Sequence, residues 1–314
     1  MTSTFGTAAY GGSGWSQRTA HHKEELGSIW RGGLDSEWQT LKTVLLCRPG
    51  AEIVVDDVDA AQQLEALDLL KAQDEHDQLA DAYRQNGVQV LEVGAVPSPT
   101  PNRMFCADLF AMTPQGAILA RPASTVRAGE EVAVAAALAA ANVPILRTLT
   151  GDATFEGADL IWLDRTRALV GLGLRTNTAA AGQIVNALAD IGIDAMPVDM
   201  PFGTMHLMGM LRIADRDLAI AWPRRTPHRA VMALREHGFK VAFLPDEDEA
   251  QANRGLNFVT LGPRRILMPG GNPAMRAFYE SLDIDVTETP MTELRKAAGA
   301  VGCLTGIVER ESTT

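Results

Sequence analysis

At 314 residues the chain is long enough to bury a large core, in one domain or two, without disulfide or metal staples. A hydrophobic share of 46% beside 21% charged residues excludes wholesale disorder, and no apolar run approaches the roughly 18 residues of a membrane span or forms a leader, so a soluble cytoplasmic protein is expected. A formal charge of -11, from 39 acidic and 28 basic residues, argues against nucleic acid or an anionic membrane as partner and is compatible with a cationic small molecule.

Residues 1–38 are rich in Gly, Ser, Thr and His and show no sustained period, so they are read as an irregular N-terminal extension preceding one catalytic domain over 39–312. From there TVLLCRPG (43–50) reads as a strand with no hairpin partner, followed by a helix over 64–86. The chain then repeats one figure. A pair of short apolar runs broken by a turn is followed by a helix and a strand opened by a turn residue. The hairpins are FCADLFAM-TPQG-AILAR, ADLIWL-DRTR-ALVGLG, LMGMLRI-ADRD-LAIAW and NFVTL-GPRR-ILMPGG, and two of the helices are placed at 126–141 and 178–191. The closing strands GVQVLEV, NVPILRT, GIDAMPV, GFKVAFL and DIDVTETP recur every 45 to 55 residues, as in a repeat architecture.

Four units are whole and a fifth is split. The C-terminal VGCLTGIVER has no partner after it and TVLLCRPG has none before it. Pairing them completes a fifth strand-strand-helix-strand unit and closes a ring without exposed edges. The expected fold is therefore a five-bladed α/β propeller; the competing reading is two unrelated α/β lobes with coincidental spacing.

Equivalent positions in such a ring converge near its axis. The entries to the first hairpin strands carry Asp108, Glu156 with Asp159, His206, Asn257 and Cys303. Three cysteines, Cys47, Cys106 and Cys303, are too few and too far apart for a disulfide framework or a CxxC site, so any cysteine chemistry is that of a free thiol. A thiolate is a nucleophile that an imidazole can activate, and neighbouring carboxylates suit a planar cationic electrophile such as a guanidinium. Each residue also has a bland reading: a lone cysteine as core, a histidine as structural, FEGAD as an ordinary strand entry. The pair His21 and His22 lacks a third ligand, so no metal site and no cofactor is expected.

The motifs FEGAD, GLGLRTN, MHLM, NF before a hairpin and a terminal GCLT, one per unit, resemble the guanidine-modifying enzymes of the pentein fold: dimethylarginine dimethylaminohydrolases, arginine deiminases and amidinotransferases. The resemblance runs from about residue 40 to 310. It implies Cys303 as nucleophile, His206 as general acid and base, and Glu156 as the carboxylate that helps His206 and grips the guanidinium. It implies Asp108 and Asp159 as further contacts to substrate, and Arg175 as the partner of the substrate's α-carboxylate. Another arginine is implied in ILARPASTVRAGEE, with Arg127 the better match and Arg121 the second. The chain departs from the deiminases in having Met208 where they carry Asp, and from many members in having Ala107 beside Asp108. The dimethylaminohydrolases share the first departure, and GAVGC is nearer their form than that of the deiminases. The departures together speak against a plain arginine deiminase and leave the exact substrate open, and Met208 would give an apolar wall suited to an N-alkylated guanidine. The expected activity is hydrolysis of a C–N bond in a substituted guanidine of the N-methylated arginine type. An amidinotransferase and a pentein-fold protein with a non-guanidine substrate or a binding role are the alternatives, and homo-oligomerisation is left open.

Overall fold

A computed structural model describes residues 6–312; the first five residues of the extension lie outside the described residues. Among the described residues, fifteen strands form five sheets of three. The first sheet joins β1 (Leu41–Leu46), β2 (Gln89–Glu92) and the last strand, β15 (Gly306–Arg310), with β1 antiparallel to β15 and parallel to β2. The second contains β3 (Phe110–Thr113), β4 (Gly116–Leu119) and β5 (Ile145–Thr148), and the third β6 (Leu160–Asp164), β7 (Arg167–Leu172) and β8 (Asp194–Asp199). The fourth holds β9 (Leu211–Asp215), β10 (Leu218–Ala221) and β11 (Lys240–Phe243), and the fifth β12 (Val259–Gly262), β13 (Arg265–Pro269) and β14 (Asp285–Thr289). In every sheet an antiparallel pair is extended by a parallel strand. The parallel step needs a crossover, which one helix per unit supplies: Leu69–Gln85, Glu130–Ala140, Thr178–Ala189, His228–Glu236 and Pro273–Glu280.

The strand sequences explain the layering. Residues of β3, β4, β10 and β12 are buried throughout, which is why those segments read as unbroken apolar runs. The third strands β2, β5 and β11 are exposed at both ends and carry Gln89, Glu92, Arg147 and Lys240, charges and amides that protect a sheet edge. Neighbouring units meet through their first strands and the turns before them, β15 against β3, the turn Gly157–Asp159 against β3, the turn Leu207–Gly209 against β6 and β9 against β12, and at one junction through the second strand, β12 against β1. The adjacency thus returns to its starting sheet.

Helix starts differ from the sequence reading for local reasons. The first helix begins at Leu69 and not at 64, because Asp68 caps it by accepting from the backbone N–H of Leu70 and Lys71. The second begins at Glu130 and not at 126: Gly129 has φ +90°, and Thr125–Arg127 form a separate 3-10 turn. The segment read as extension also contributes to the core at its end. Leu34 and Trp38 are buried, Trp38 edge-on to Phe239 at 6.1 Å, and Gly33 bonds β15 through Val308 and Arg310. Hydrophobic residues without a period give no sequence signal of this. Among the described residues no helix is long and apolar enough to cross a membrane.

Candidate active site

The side chains singled out in the sequence hang on single helical turns that precede the first strands. Asp108 lies in the turn Cys106–Leu109 and Cys303 in the turn Val301–Leu304; Glu156 and His206 are the caps of Gly157–Asp159 and Leu207–Gly209. Close approach of these turns fixes two glycines. A Cβ on Gly157 would lie 2.1 Å from the Phe110 carbonyl oxygen, and one on Gly302 would lie 1.8 Å from Nη2 of Arg212. Any larger residue at Gly157 meets backbone that cannot yield, so Glu156 is set by the glycine that follows it.

His206 Nε2 is 2.6 Å from Glu156 Oε2, and its Nδ1 is 3.8 Å from Asp108 Oδ1. Burial alone would lower the imidazole pKa, but Asp108, the hydrogen bond to Glu156 and the charge of Asp159 raise it to about 9. His206 is therefore an imidazolium at neutral pH. Glu156 is opposed by its own burial, yet His206, Arg127 and Arg175 hold its carboxyl well below the usual carboxylate range.

Cys303 is partly exposed. Its Sγ accepts from Asn257 Nδ2 at 3.1 Å, and its backbone N–H donates to Asn257 Oδ1 at 3.1 Å, so one amide fixes both the turn and the thiol. Burial and then the Asp108 carboxylate push the thiol pKa up, against a backbone hydrogen bond at Ala300, the Arg212 cation and the Asn257 amide. The resting pair is thus neutral thiol and charged imidazole. A cation placed beside Asp108 would cancel that carboxylate's effect and favour the thiolate.

Both arginines reach the site, and both guanidiniums sit on its carboxylates. Arg127 Nη1 donates to Asp108 Oδ2 at 2.7 Å and to Glu156 Oε2 at 3.3 Å, its Nε donates to Glu130 Oε2 at 2.9 Å, and it lies over the Phe105 ring at 6.0 Å. Arg175 Nη1 donates to Glu156 Oε1 at 3.1 Å. Arg121, the second match, instead donates to the Ala153 carbonyl. Asp108 Oδ1 is buried without a hydrogen-bond partner and so keeps its acceptor capacity. Asp159 does not face the same space: its oxygens accept from Thr176 Oγ1 at 2.6 Å and Leu207 N–H at 2.8 Å, tying the Glu156 and His206 turns together, and burial raises its pKa to about 6.

Asp108, Arg127, Arg175, His206 and Cys303 line one small cavity of about 30 Å³ with Phe105. Donor atoms of Asp108, Glu156 and His206 lie within 4.8 Å of one another, but two guanidiniums already compensate these carboxylates, a donor set that suits a guanidinium cluster better than a divalent ion. Sequence reasoning gave no role to Asn257, Glu130, Thr176 or Arg212. Glu130 was detectable as an acid three residues after Arg127. The signal for Arg212 was a charge inside the apolar run LMGMLRI; its Nε and Nη2 are buried without a partner behind Gly302.

The family model described as arginine deiminase matches residues 94–237. The human protein DDAH2 is 28% identical over 269 residues, covering 82% of this chain and 92% of its own. The N(G),N(G)-dimethylarginine dimethylaminohydrolase of Pseudomonas aeruginosa is 24% identical over 264 residues, covering 83% of this chain and 97% of its own. A structure of the Pseudomonas aeruginosa DDAH complexed with citrulline superposes with a TM-score of 0.71 at 21% identity, covering 87% of this chain and 100% of that one. The inosamine-phosphate amidinotransferase of Streptomyces griseus has the same fold, with a TM-score of 0.70 at 16% identity over 90% of this chain and 97% of that one.

Proposed function

From the chain's membership of the pentein guanidine-modifying superfamily, near the dimethylarginine dimethylaminohydrolases, we propose that it hydrolyses the C–N bond of a substituted guanidine of the N-methylated arginine type. Its 39–312 segment is then one five-bladed α/β propeller, with the β1–β15 pairing closing the ring. One observation carries the reading: a single cavity presents a thiol, an imidazolium and a buried carboxylate oxygen with no hydrogen-bond partner.

In this reading Asp108 Oδ1 accepts an N–H of the substrate cation, whose charge lowers the thiol pKa so that Cys303 releases its proton to solvent and becomes the thiolate. Cys303 Sγ bonds to the central carbon, the bond from that carbon to the substituted nitrogen breaks, and His206 gives the departing amine its proton. Water, deprotonated by the now neutral His206, adds to the same carbon. The S–C bond then breaks and a ureido product leaves, so that guanidinium and water become a urea and an ammonium ion. Glu156 holds His206 in its charged form, and Arg127 and Arg175 fix Glu156 and orient the substrate's carboxylate. Phe105 and Met205 flank the cavity with apolar surface, which suits an N-methyl group.

Turnover of dimethylarginine with citrulline as product, lost in Cys303→Ser, is the expected result. Wild-type protein inactive on every guanidine tried would remove the reading. Transfer of the amidino group to an added amine, with no ureido product, would establish an amidinotransferase instead.

A further inference from the structure

Cys303 and His206 border two cavities. Besides the small one that holds Asp108 and the arginines, a groove of about 240 Å³ reaches the same thiol and imidazole and shares Met205 and Ala298 with it. It is eight times the size of the first and has a different chemistry. Its walls are Met208, Met210, Trp222 and Leu256, and its cationic groups are Arg225 and Arg254; no carboxylate lines it. Arg225 stacks on the Trp222 ring at 4.4 Å and reaches Gln251 Oε1 at 3.5 Å, while Arg254 Nη1 donates to the Gln251 carbonyl at 3.1 Å. Neither forms an ion pair with a carboxylate within 4 Å among the described residues.

The geometry assigns this groove to the departing amine. Resting on the hydrolase reading above, we propose that the preferred substrate carries, on the guanidine nitrogen that leaves, an apolar chain larger than methyl ending in an anionic group: an Nω-carboxyalkyl guanidine. The reasons are continuity, size and charge. His206, which protonates the leaving nitrogen, is shared by both cavities, so a substituent on that nitrogen points away from Asp108 and into the groove. A methyl group would leave most of 240 Å³ unfilled. Methionines tolerate varied apolar shapes, and two half-buried arginines that no carboxylate contacts within 4 Å offer N–H donors to a carboxylate, although Arg225 also feels the charge of Glu247. The bonds made and broken are those of the hydrolase sequence; the leaving group is an amino acid in place of dimethylamine.

Gly209 lies in the groove wall, and a Cβ built on it meets nothing within 4 Å, so a side chain there projects into free space. The test compares Nω-methyl-, Nω-propyl- and Nω-(3-carboxypropyl)-arginine with the full chain, reading citrulline. The carboxypropyl compound should exceed the methyl compound in kcat/KM by about tenfold or more, the discrimination that a few methylenes and an ion contact provide. Gly209→Leu should lower that ratio at least about tenfold. Arg225→Gln with Arg254→Gln, a variant outside the turns at the thiol, should erase the advantage of carboxypropyl over propyl. Turnover of the methyl compound with slower or absent turnover of both larger ones would overturn the groove assignment and leave the hydrolase reading standing. No turnover of any member, with Cys303 unlabelled, would overturn both.

Discussion

Replacing Glu156 by Gln isolates the charge that sustains the His206 imidazolium. In the folded protein that group is raised from 6.5 to about 9 despite its burial, which at about 1.36 kcal/mol per pKa unit is a preference of roughly 3 kcal/mol for the charged form. Asp108, Glu156 and Asp159 supply it, and Glu156 is the one in contact, at 2.6 Å. Gln keeps the shape but not the charge, so His206 should titrate about one to two pH units lower, measured by nitrogen-15 resonance of the ring. Because the folded pKa lies above the unfolded one, the stability linked to the imidazolium is complete below pH 6.5 and lost as pH rises through about 9. In the variant that loss should be complete at lower pH. At pH 8 only about a half to a tenth of the variant's His206 would still carry the proton for the leaving amine, and on that ground kcat should fall by about two- to tenfold. A variant histidine still titrating at about 9, or a wild-type one at 6.5, would refute the electrostatic account.

The raised thiol pKa predicts slow alkylation of Cys303 by iodoacetamide at pH 7 without substrate, with a rate that climbs through a midpoint above that of an ordinary thiol; a midpoint below the ordinary thiol range would contradict it. Arg212→Met should move that midpoint higher still, since the Arg212 cation opposes the shift. Gly302→Ala, whose Cβ would meet Arg212 Nη2 and approach Asn257 Oδ1 at 3.1 Å, should cost about 1–3 kcal/mol in chemical denaturation and slow alkylation further. Asp108→Asn should raise KM for the cationic substrate more than it changes binding of a neutral ureido product, measured by calorimetry.

Much of this architecture was legible because its signals are periodic or punctuated. The hairpins showed as paired apolar runs around TPQG, DRTR, ADRD and GPRR, and the orphan runs at 43–50 and 301–310 could only pair with each other, as β1 and β15 do. The convergence of Asp108, Glu156, His206 and Cys303 followed from equivalent places in the repeat. What was hidden lacks period. The single helical turns that carry these residues are too short for a 3.6-residue pattern, and Leu34 and Trp38 enter the core from an irregular segment. Nor could spacing show that Arg127 and Arg175 lie on the carboxylates, or that Asp159 braces two turns instead of facing the cavity; such contacts depend on how separate units dock.

The central claim is that Cys303 attacks a guanidinium carbon, and acid-quenched turnover of dimethylarginine followed by peptide mass spectrometry tests it most directly. An amidino thioether on the peptide bearing Cys303, absent from Cys47 and Cys106 and accompanied by citrulline, is the predicted result. Undiminished turnover in Cys303→Ser, or an adduct on either buried cysteine alone, would contradict it.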